Sequence, residues 1–267
     1  MSFVKSPAEL KQLQHIIGNS EYREMKMLAV PFQTTREFIE AVLPPPLEFY
    51  EPVGYAFIYS FATSNCLGPF SGGGVYLSCS HREIAGNYCL SLPIDTEISK
   101  DLGKDCYGEP KKMATIHLDV SKQNIRGWVE RYGIRFMELS AQMEKELPIG
   151  EPSMRIIYQF KYSHKASGEP GFDLNPILIR HESHRKLTRI VSGTGNVIFR
   201  ESPYDPVCEI PLHKIEPSIY IEGSIVTKAK KIAEVDPIAF YPYSFSPAKH
   251  DPWPLMDGLY QLPGFKT

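Results

Sequence analysis

The segment Glu109-Pro110-Lys111-Lys112 combines residue types that amine chemistry uses. Two adjacent lysines are most often solvated surface charge. Here Pro110 favours an extended conformation for Glu109, and the apolar residues of the run 113–118 follow at once, as in a strand. A lysine that enters a β core must be neutral or paired. The segment therefore predicts a lysine whose side chain enters the fold and can act as a nucleophile.

A lysine is nucleophilic only as its neutral amine, so its pKa has to fall well below the ordinary value of about 10.4. Burial can lower a lysine pKa by roughly 3–5. A neighbouring ammonium at ~7 Å and an effective dielectric of ~20 adds about 2.4 kcal/mol, which lowers the pKa by nearly 2. Adjacent residues of one strand also point to opposite faces. We therefore expect desolvation to have the larger share in activating the amine and Lys112 an auxiliary one.

Two short motifs are typical of dehydrogenases, but neither has the expected context here. Tyr107 and Lys111 have the Tyr-x-x-x-Lys spacing of short-chain dehydrogenases, but Pro110 between them is unsuited to a helix interior. The G-x-G at 193–195 is not a dinucleotide fingerprint by itself. The sequence therefore does not favour a nicotinamide enzyme.

His181 and His184 invite a metal-site interpretation, yet their spacing departs from H-E-x-x-H by one residue. On a strand, a separation of three places the two rings on opposite faces. We interpret both as surface or loop histidines and expect no metal site. The run Gly72-Gly73-Gly74 is interpreted as a hairpin turn, because no helix pattern follows it to complete a phosphate-binding loop.

The composition bounds the class of protein. The 267 residues include 29 basic and 31 acidic side chains, a net charge of −2, whereas a nucleic-acid binder normally shows a basic surplus. The 23 prolines, 15 tyrosines and 14 phenylalanines favour short strands joined by turns. Five cysteines without a CxxC pair indicate neither a disulfide framework nor a zinc ribbon, and no window is apolar enough to span a bilayer. We expect a soluble, cytoplasmic protein with no membrane or nucleic-acid partner.

Many short strands must position the candidate residues. Strands are expected at 25–32, 54–62, 74–79, 114–120, 126–131, 134–139, 154–163, 187–191, 196–200 and 218–226. Capping boxes at residues 6–9 and 34–37 predict two helix starts, and Gly18 is expected to end the first helix. A third short helix is expected over 95–102, closed by Gly103.

The remaining signals complete a mainly β (α+β) fold. Residues 131–133 predict a hairpin turn, and residues 228–235 are interpreted as a late helix. We predict a single domain over residues 1–267. Its Pro- and aromatic-rich tail, residues 246–267, is expected to dock on its own or a neighbouring subunit.

The sequence resembles the acetoacetate decarboxylase family over about residues 20–245. The resemblance rests on Leu43-Pro44-Pro45-Pro46-Leu47-Glu48, on Gly86-Asn87-Tyr88, on the run from Gly103 to Lys112 and on the hairpin from Gly127 to Arg135. This family is the standard example of a lysine activated by desolvation or by a neighbouring cation. The resemblance implies a closed, cone-like antiparallel β barrel with a few peripheral helices, assembled into a homo-oligomer.

The resemblance also implies a mechanism. Lys111, the first lysine of the pair, forms a Schiff base with a ketone, and Lys112 supports it electrostatically. A β-keto acid then loses CO₂ into an enamine, which is reprotonated and hydrolysed. The implied partner is a small keto substrate, and no metal or organic cofactor is required.

Several positions depart from the family pattern. Phe57 and Gly72 stand where the family carries acidic residues, and Arg23 corresponds to a pocket arginine that binds substrate if a two-residue insertion precedes Pro31. Glu109 is a candidate replacement acid or base. These departures leave three functions open: decarboxylation of a β-keto acid, aldolase or dehydratase chemistry on a larger keto compound, and a catalytically inactive binding protein of the same fold.

Overall fold

The computed structural model describes residues 3–251, so the predicted docking of residues 252–267 lies outside the described residues. One sheet contains β1 Ser20–Gln33, β2 Glu48–Ser64, β3 Phe70–His81, β4 Ile84–Ile94, β5 Lys111–Met113, β6 Thr115–Ser121, β7 Asn124–Arg131, β8 Ile134–Glu146, β9 Ser153–His164, β10 Phe172–Phe199, β11 Lys214–Ile215 and β12 Ser218–Glu234. The α-helices of this range are α1 Pro7–Gly18, α2 Arg36–Val42, α3 Glu97–Leu102 and α4 Pro237–Phe240. The expectation of a mainly β protein is confirmed.

The strands are hydrogen-bonded in the order β11-β1-β2-β3-β4-β9-β10-β8-β7-β6. In addition, β12 pairs with both β1 and β10, and β5 pairs with β4. Pairing is antiparallel except where β4 meets β5 and β9. The 28-residue β10 pairs with β8, β9 and β12 and so connects the two halves of the sheet.

Alternation along the strands divides the apolar side chains between two clusters. Met27 and Phe57 belong to one cluster, whereas their neighbours Leu28 and Ile58 belong to the other. Successive residues of a strand point to opposite faces, so each strand contributes to both clusters. The cluster that contains Phe57 also lines the candidate site described below.

The first predicted helix is confirmed as α1. Ser6 accepts a hydrogen bond from the Glu9 backbone, and the Glu9 carboxylate accepts one from the Ser6 backbone at 2.8 Å. The second capping box is wrong by one residue: Thr35, not Thr34, caps α2 by accepting from the Phe38 backbone at 3.0 Å. No residue of α1 is fully buried, whereas α2 contributes Ile39 to the core.

Gly103 does not close α3, which corrects the prediction. Its backbone is helical, with φ −64°, and the chain continues through a π-helical turn over Gly103–Tyr107. Gly108 ends this turn with a left-handed φ of +74°, a conformation that glycine adopts without the steric cost of a Cβ. The segment then leads directly into β5.

Two further predictions are wrong. Residues 228–235 are not a helix, because residues 228–234 form the end of β12 and pair with β10, which shows tertiary pairing overriding local propensity. Gly73 lies within β3 opposite Ile58 rather than in a turn. A Cβ at Gly72 would lie 2.5 Å from the Tyr59 hydroxyl, so the missing side chain makes room for that ring.

The hairpin turn predicted at residues 131–133 is confirmed. Tyr132 and Gly133 form the predicted turn between β7 and β8, both with positive φ. The expected strands at 187–191 and 196–200 are parts of one long strand, β10. The five cysteines, all within the described range, are unpaired. No helix of residues 3–251 has the length and apolar character needed to cross a membrane.

Candidate active site

The short strand β5 places Lys111 and Lys112 inside the molecule. It runs parallel to β4, with Lys111 opposite Leu92 and Lys112 opposite Pro93. The two lysines are equally buried, 6% and 5% exposed. Their side chains leave the strand on opposite faces, as expected for consecutive residues, so each amine has its own surroundings.

The Lys111 amine lies among polar groups of its own segment. Its Nζ is 2.7 Å from Oε2 of Glu109, and it donates to the Oγ and the carbonyl of Ser99 at 3.1 and 3.2 Å. A carboxylate at this distance can accept a proton from the amine and return it. The structure thus brings together Lys111 and Glu109, two of the four residues that the sequence singled out.

Gly103 allows this close approach. A Cβ at this position would lie 2.2 Å from Oε2 of Glu109 and 2.8 Å from Nζ of Lys111. Contacts below 3.0 Å would force one of these groups to move. The glycine that was expected to stop a helix therefore keeps space for the pair of charged groups.

Lys111 and Glu109 open into a cavity of about 100 Å³. Its wall is largely aromatic and apolar: Tyr22, Met25, Met27, Phe57, Tyr59, Phe61, Phe70, Tyr76, Leu92, Tyr107, Ile157 and Ile225. Burial raises the pKa of Tyr59 and of Tyr76 well above the ordinary value, so both phenols stay neutral at physiological pH. The amine thus faces a small apolar space with few charged neighbours.

Glu109 remains a carboxylate in this setting. Burial raises its pKa, but the charge of Lys111 and hydrogen bonds from Lys111 and Gln159 together outweigh that effect and hold the pKa of Glu109 below its usual range. An ionised carboxylate that is also next to an amine is suited to moving protons. Glu109 therefore lies where a general acid or base for Lys111 would have to lie.

His181 is a third component of the site, and the surface or loop interpretation is wrong for this residue. It is 2% exposed, and its ring meets the ring of Tyr107 edge-on at a centroid distance of 5.0 Å. Burial lowers the pKa of His181, and the charge of Lys111 acts in the same direction. Its Nε2 has no hydrogen-bond partner among residues 3–251. A neutral, buried imidazole with a free nitrogen can bind a substrate hydroxyl or carry a proton.

His184, in contrast, is exposed. The two histidines lie on opposite faces of β10, as the spacing predicts. The face that includes His181 continues through Ser183 and Arg185, and all three line the cavity. Strand alternation in this segment was the signal that could have identified them from the sequence.

Lys112 belongs to a different cluster on the other face of β5. Its amine lies 2.6 Å from Oδ1 of Asp205 and donates to the carbonyls of Tyr204 and Pro247 at 2.6 and 2.7 Å. Arg131 binds the other oxygen of Asp205 at 2.7 Å, and Asp251 lies 2.9 Å from Arg131. This ion network joins β5 to Asp205 and to Pro247 and Asp251, which belong to the described start of the predicted tail.

Arg23 lies outside the cavity. Its side chain is 59% exposed and forms an ion pair with Glu21 at 2.7 Å. The pairing of β1 shifts register between Tyr22 and Met25, and Glu24 has a positive φ of 52°. Because of this bulge, Tyr22 and Met25 both face the cavity while Arg23 points to solvent.

Phe57 and Gly72, the two positions predicted to lack family acids, both shape the aromatic side of the cavity. Phe57 is 1% exposed and stacks on Tyr59 at a centroid distance of 6.0 Å. Gly72 leaves space for the same Tyr59 ring. The arginine that lines the cavity is Arg185.

Known proteins resemble this chain in sequence. The model of the family described as acetoacetate decarboxylase (ADC) matches residues 7–235. Acetoacetate decarboxylase of Burkholderia vietnamiensis is 28% identical over 142 residues, and that of Paraburkholderia xenovorans is 30% identical over 118 residues. These alignments cover 52% and 44% of this chain, and the chain spans only 57% and 46% of the lengths of these relatives.

Solved structures show the same fold. Acetoacetate decarboxylase from Legionella pneumophila superposes with a TM-score of 0.74 at 17% identity, covering 81% of this chain and 88% of that chain. The enduracididine biosynthesis enzyme MppR, complexed with the condensation product of pyruvate and imidazole 4-carboxaldehyde, superposes with a TM-score of 0.70 at 14% identity, covering 82% and 90%.

Proposed function

This chain belongs to the acetoacetate decarboxylase family, and from this premise we propose that it is a lyase that forms a Schiff base between Lys111 and the ketone of a keto acid. One observation carries the proposal: the Lys111 amine opens into a small aromatic cavity with the Glu109 carboxylate 2.7 Å away. An amine next to a proton acceptor in a low-dielectric space is what imine formation requires.

The proposed reaction begins at the amine. Glu109 takes a proton from Lys111, and the neutral amine attacks the carbonyl carbon to give a carbinolamine. The carbinolamine takes up a proton and loses water, leaving a protonated imine. In a β-keto acid the bond between the α-carbon and the carboxylate then breaks, its electron pair forms the enamine, and CO₂ leaves. Protonation of the enamine carbon and hydrolysis return the ketone product and free Lys111.

Glu109 is the proposed proton carrier in these steps. It is the carboxylate nearest to the amine among the described residues, and its lowered pKa keeps it ionised when the amine has to lose a proton. We assign His181 a supporting role, since its unpaired Nε2 can bind the hydroxyl of the carbinolamine. Beside Lys111 the neutral aromatic part of the wall favours the loss of a carboxylate as uncharged CO₂, because it offers the carboxylate no compensating charge.

Lys112 acts as a positioning residue in this proposal. Its amine is occupied by Asp205 and two backbone carbonyls on the far face of β5. Its expected electrostatic support of Lys111 is therefore indirect. It holds the strand that carries the nucleophile, and its pKa is lowered first by burial, with Asp205 opposing that effect.

Two structural features of the family are proposed for this chain as well. We propose that β1, β2, β3, β4, β9, β10 and β12 close into a barrel, since β12 pairs with both β1 and β10. We also propose a cytoplasmic homo-oligomer that acts on a small keto substrate without a metal or organic cofactor, because the lysine itself provides the electron sink.

Reductive trapping tests the proposal. The protein is incubated with acetoacetate and sodium borohydride, digested, and mapped by tandem mass spectrometry. A reduced adduct on Lys111 and release of one CO₂ per turnover are expected. Borohydride without a keto acid is the control. Failure to trap any adduct across a series of keto acids that bind would favour the catalytically inactive binding protein of the same fold.

Aldol condensation or dehydration on the same imine is the second candidate. It is favoured by the absence of a second carboxylate from the cavity wall among the described residues and by the MppR complex with a condensation product of pyruvate. Trapping on Lys111 with pyruvate, no CO₂ release, and a new product when an aldehyde is added would identify this reaction instead.

A further inference from the structure

The wall of the cavity includes a cation without an acidic partner. Arg185 is partly buried, and no carboxylate of residues 3–251 is among the groups that act on its charge. Its Nε is buried and has no hydrogen-bond partner within the same residues. A buried guanidinium needs hydrogen-bond acceptors, since an unsatisfied charged donor costs folding free energy.

Two further groups converge on this cation. Arg155 stacks over the ring of Tyr55 with its Cζ 4.6 Å from the ring centroid, and its charge acts on Arg185. The Tyr55 phenol is buried beside both arginines, whose charges act on it. Burial, with the charge of Arg155 second, lowers the pKa of Arg185 to about 10, so the guanidinium is still charged at physiological pH. Two neighbouring cations, with no carboxylate of the described residues acting on Arg185, form an environment for an anion.

This cluster is separate from the reacting end of the cavity. Arg185 lies four residues after His181 on a stretch of β10 that pairs with β12 in unbroken register. Four residues of extended strand span about 13 Å between Cα atoms. The charges of Lys111 and Glu109 act on His181, whereas those that act on Arg185 come from Arg155 and from tyrosines. The carboxylate lost from a β-keto acid is one carbon away from the ketone and therefore lies beside Lys111.

We propose that Arg185, supported by the neighbouring charge of Arg155, binds a carboxylate of the substrate that does not react. The substrate is then a ketone whose carboxylate is remote from the carbonyl, and the apolar wall between the two ends holds the connecting carbon chain. This inference rests on the proposed function, since it assumes a ketone at Lys111. It specifies the substrate class: an oxo acid that keeps one carboxylate throughout the reaction.

The test uses 7-oxooctanoate and its methyl ester, because neither compound can lose CO₂ through an enamine and the carbon chain places the carboxylate well away from the ketone. The rate of borohydride trapping on Lys111 is measured against probe concentration. A charge-assisted hydrogen bond predicts half-saturation at roughly a 10- to 100-fold lower concentration for 7-oxooctanoate than for the ester. Arg185→Gln is expected to abolish this preference by raising the half-saturation concentration of the acid to that of the ester.

Arg23→Gln is the matched control, because it removes the same charge outside the cavity, and it is expected to keep the preference. Arg185→Lys, which keeps a charge, is expected to retain part of it, and melting temperatures verify that each variant is folded. Equal half-saturation of the wild type by both probes would overturn the proposal, as would an equal loss for both probes in Arg185→Gln.

The result also separates this inference from the proposed function. If neither probe is trapped by the wild type, imine formation fails, and calorimetric binding of 7-oxooctanoate then tests the anion site alone. Binding that Arg185→Gln removes and Arg23→Gln keeps would support the site without imine chemistry. Binding that Arg185→Gln leaves intact would overturn it.

Discussion

Lys111 and Lys112 are adjacent on a three-residue strand and equally buried, yet their surroundings differ. The Lys111 amine opens into a cavity beside one carboxylate. The Lys112 amine is enclosed by Asp205 and two backbone carbonyls at 2.6 to 2.7 Å. Burial alone therefore does not distinguish the two lysines. The open space in front of the Lys111 amine is what makes Lys111 the proposed nucleophile.

A third lysine supports this conclusion. Burial, with the charge of Lys104 second, lowers the pKa of Lys249 to about 7. Its amine nevertheless donates to the Phe160 carbonyl at 3.3 Å and lies over the Tyr162 ring, in a smaller cavity of about 30 Å³. A lowered pKa makes an amine available for reaction, but only a cavity large enough to hold a substrate lets that substrate reach the amine.

The largest expected effect separates the two lysines directly. Lys111→Met removes the amine but keeps most of the side-chain volume, so turnover is expected to fall by more than about 10³-fold. The rate of product formation measures this loss, and borohydride trapping followed by peptide mapping shows whether an adduct on residue 111 remains. The matched variant Lys112→Met is expected to retain an adduct on Lys111. Full activity of Lys111→Met would show that another group is the nucleophile.

Lys112→Met is expected to act on stability. Among residues 3–251 it leaves the buried Asp205 carboxylate with Arg131 as its one ion-pair partner, and breaking a buried ion pair costs about 3 kcal/mol or more. Urea denaturation at neutral pH measures the free energy of unfolding. An unchanged unfolding free energy combined with lost trapping would place Lys112 in the reaction rather than in the network.

Gly103→Ala tests whether open space matters at the first lysine. The new Cβ would lie within 3.0 Å of both Glu109 and Lys111, so one group must move. A displacement of this size is expected to slow trapping about 10- to 100-fold. Gly150→Ala, at a glycine with no atom within 4 Å of the added Cβ, is the control. Equal rates for both variants would mean that the site adjusts freely.

The smallest expected effect is on the pH dependence of the free energy of unfolding, through His181. The pKa of folded His181 is lowered, first by burial, so only the unfolded chain takes up a proton there near pH 6.5. Above that pH this histidine does not change the free energy of unfolding. As the pH falls through it, proton uptake by the unfolded chain lowers the free energy of unfolding. Between pH 7 and 5, His181→Gln is expected to reduce the loss of unfolding free energy by about 1 kcal/mol. His184→Gln, on the exposed face, should leave the slope unchanged; an unchanged slope in His181→Gln would contradict the assignment.

The sequence predicts those parts of the site that are local. Glu109 and Lys111 are two residues apart, and the proline between them sets the extended chain, so their proximity follows from the segment itself. The strand-rich class and the turn at Tyr132 and Gly133 follow from alternation and turn chemistry for the same reason.

The remaining parts depend on register, which a single segment does not reveal. His181 lines the same cavity as Lys111 only because β10 pairs with β9 and β12 in a specific register. Arg23 faces solvent because a bulge in β1 interrupts the alternation that would have turned it inward. The stretch at 228–234 is strand because β10 pairs with it, although its own residues favour a helix. A shift of one residue reverses which face a side chain occupies.

The link between Lys112 and Pro247 has a consequence for assembly. It joins positions 135 residues apart in the chain, and contacts of such long separation form late because the intervening chain must be ordered first. The strand that carries Lys111, the proposed nucleophile, is only three residues long, and its backbone pairs with β4. A nascent chain therefore contains Lys111 long before the Lys112 side of this strand is held in place.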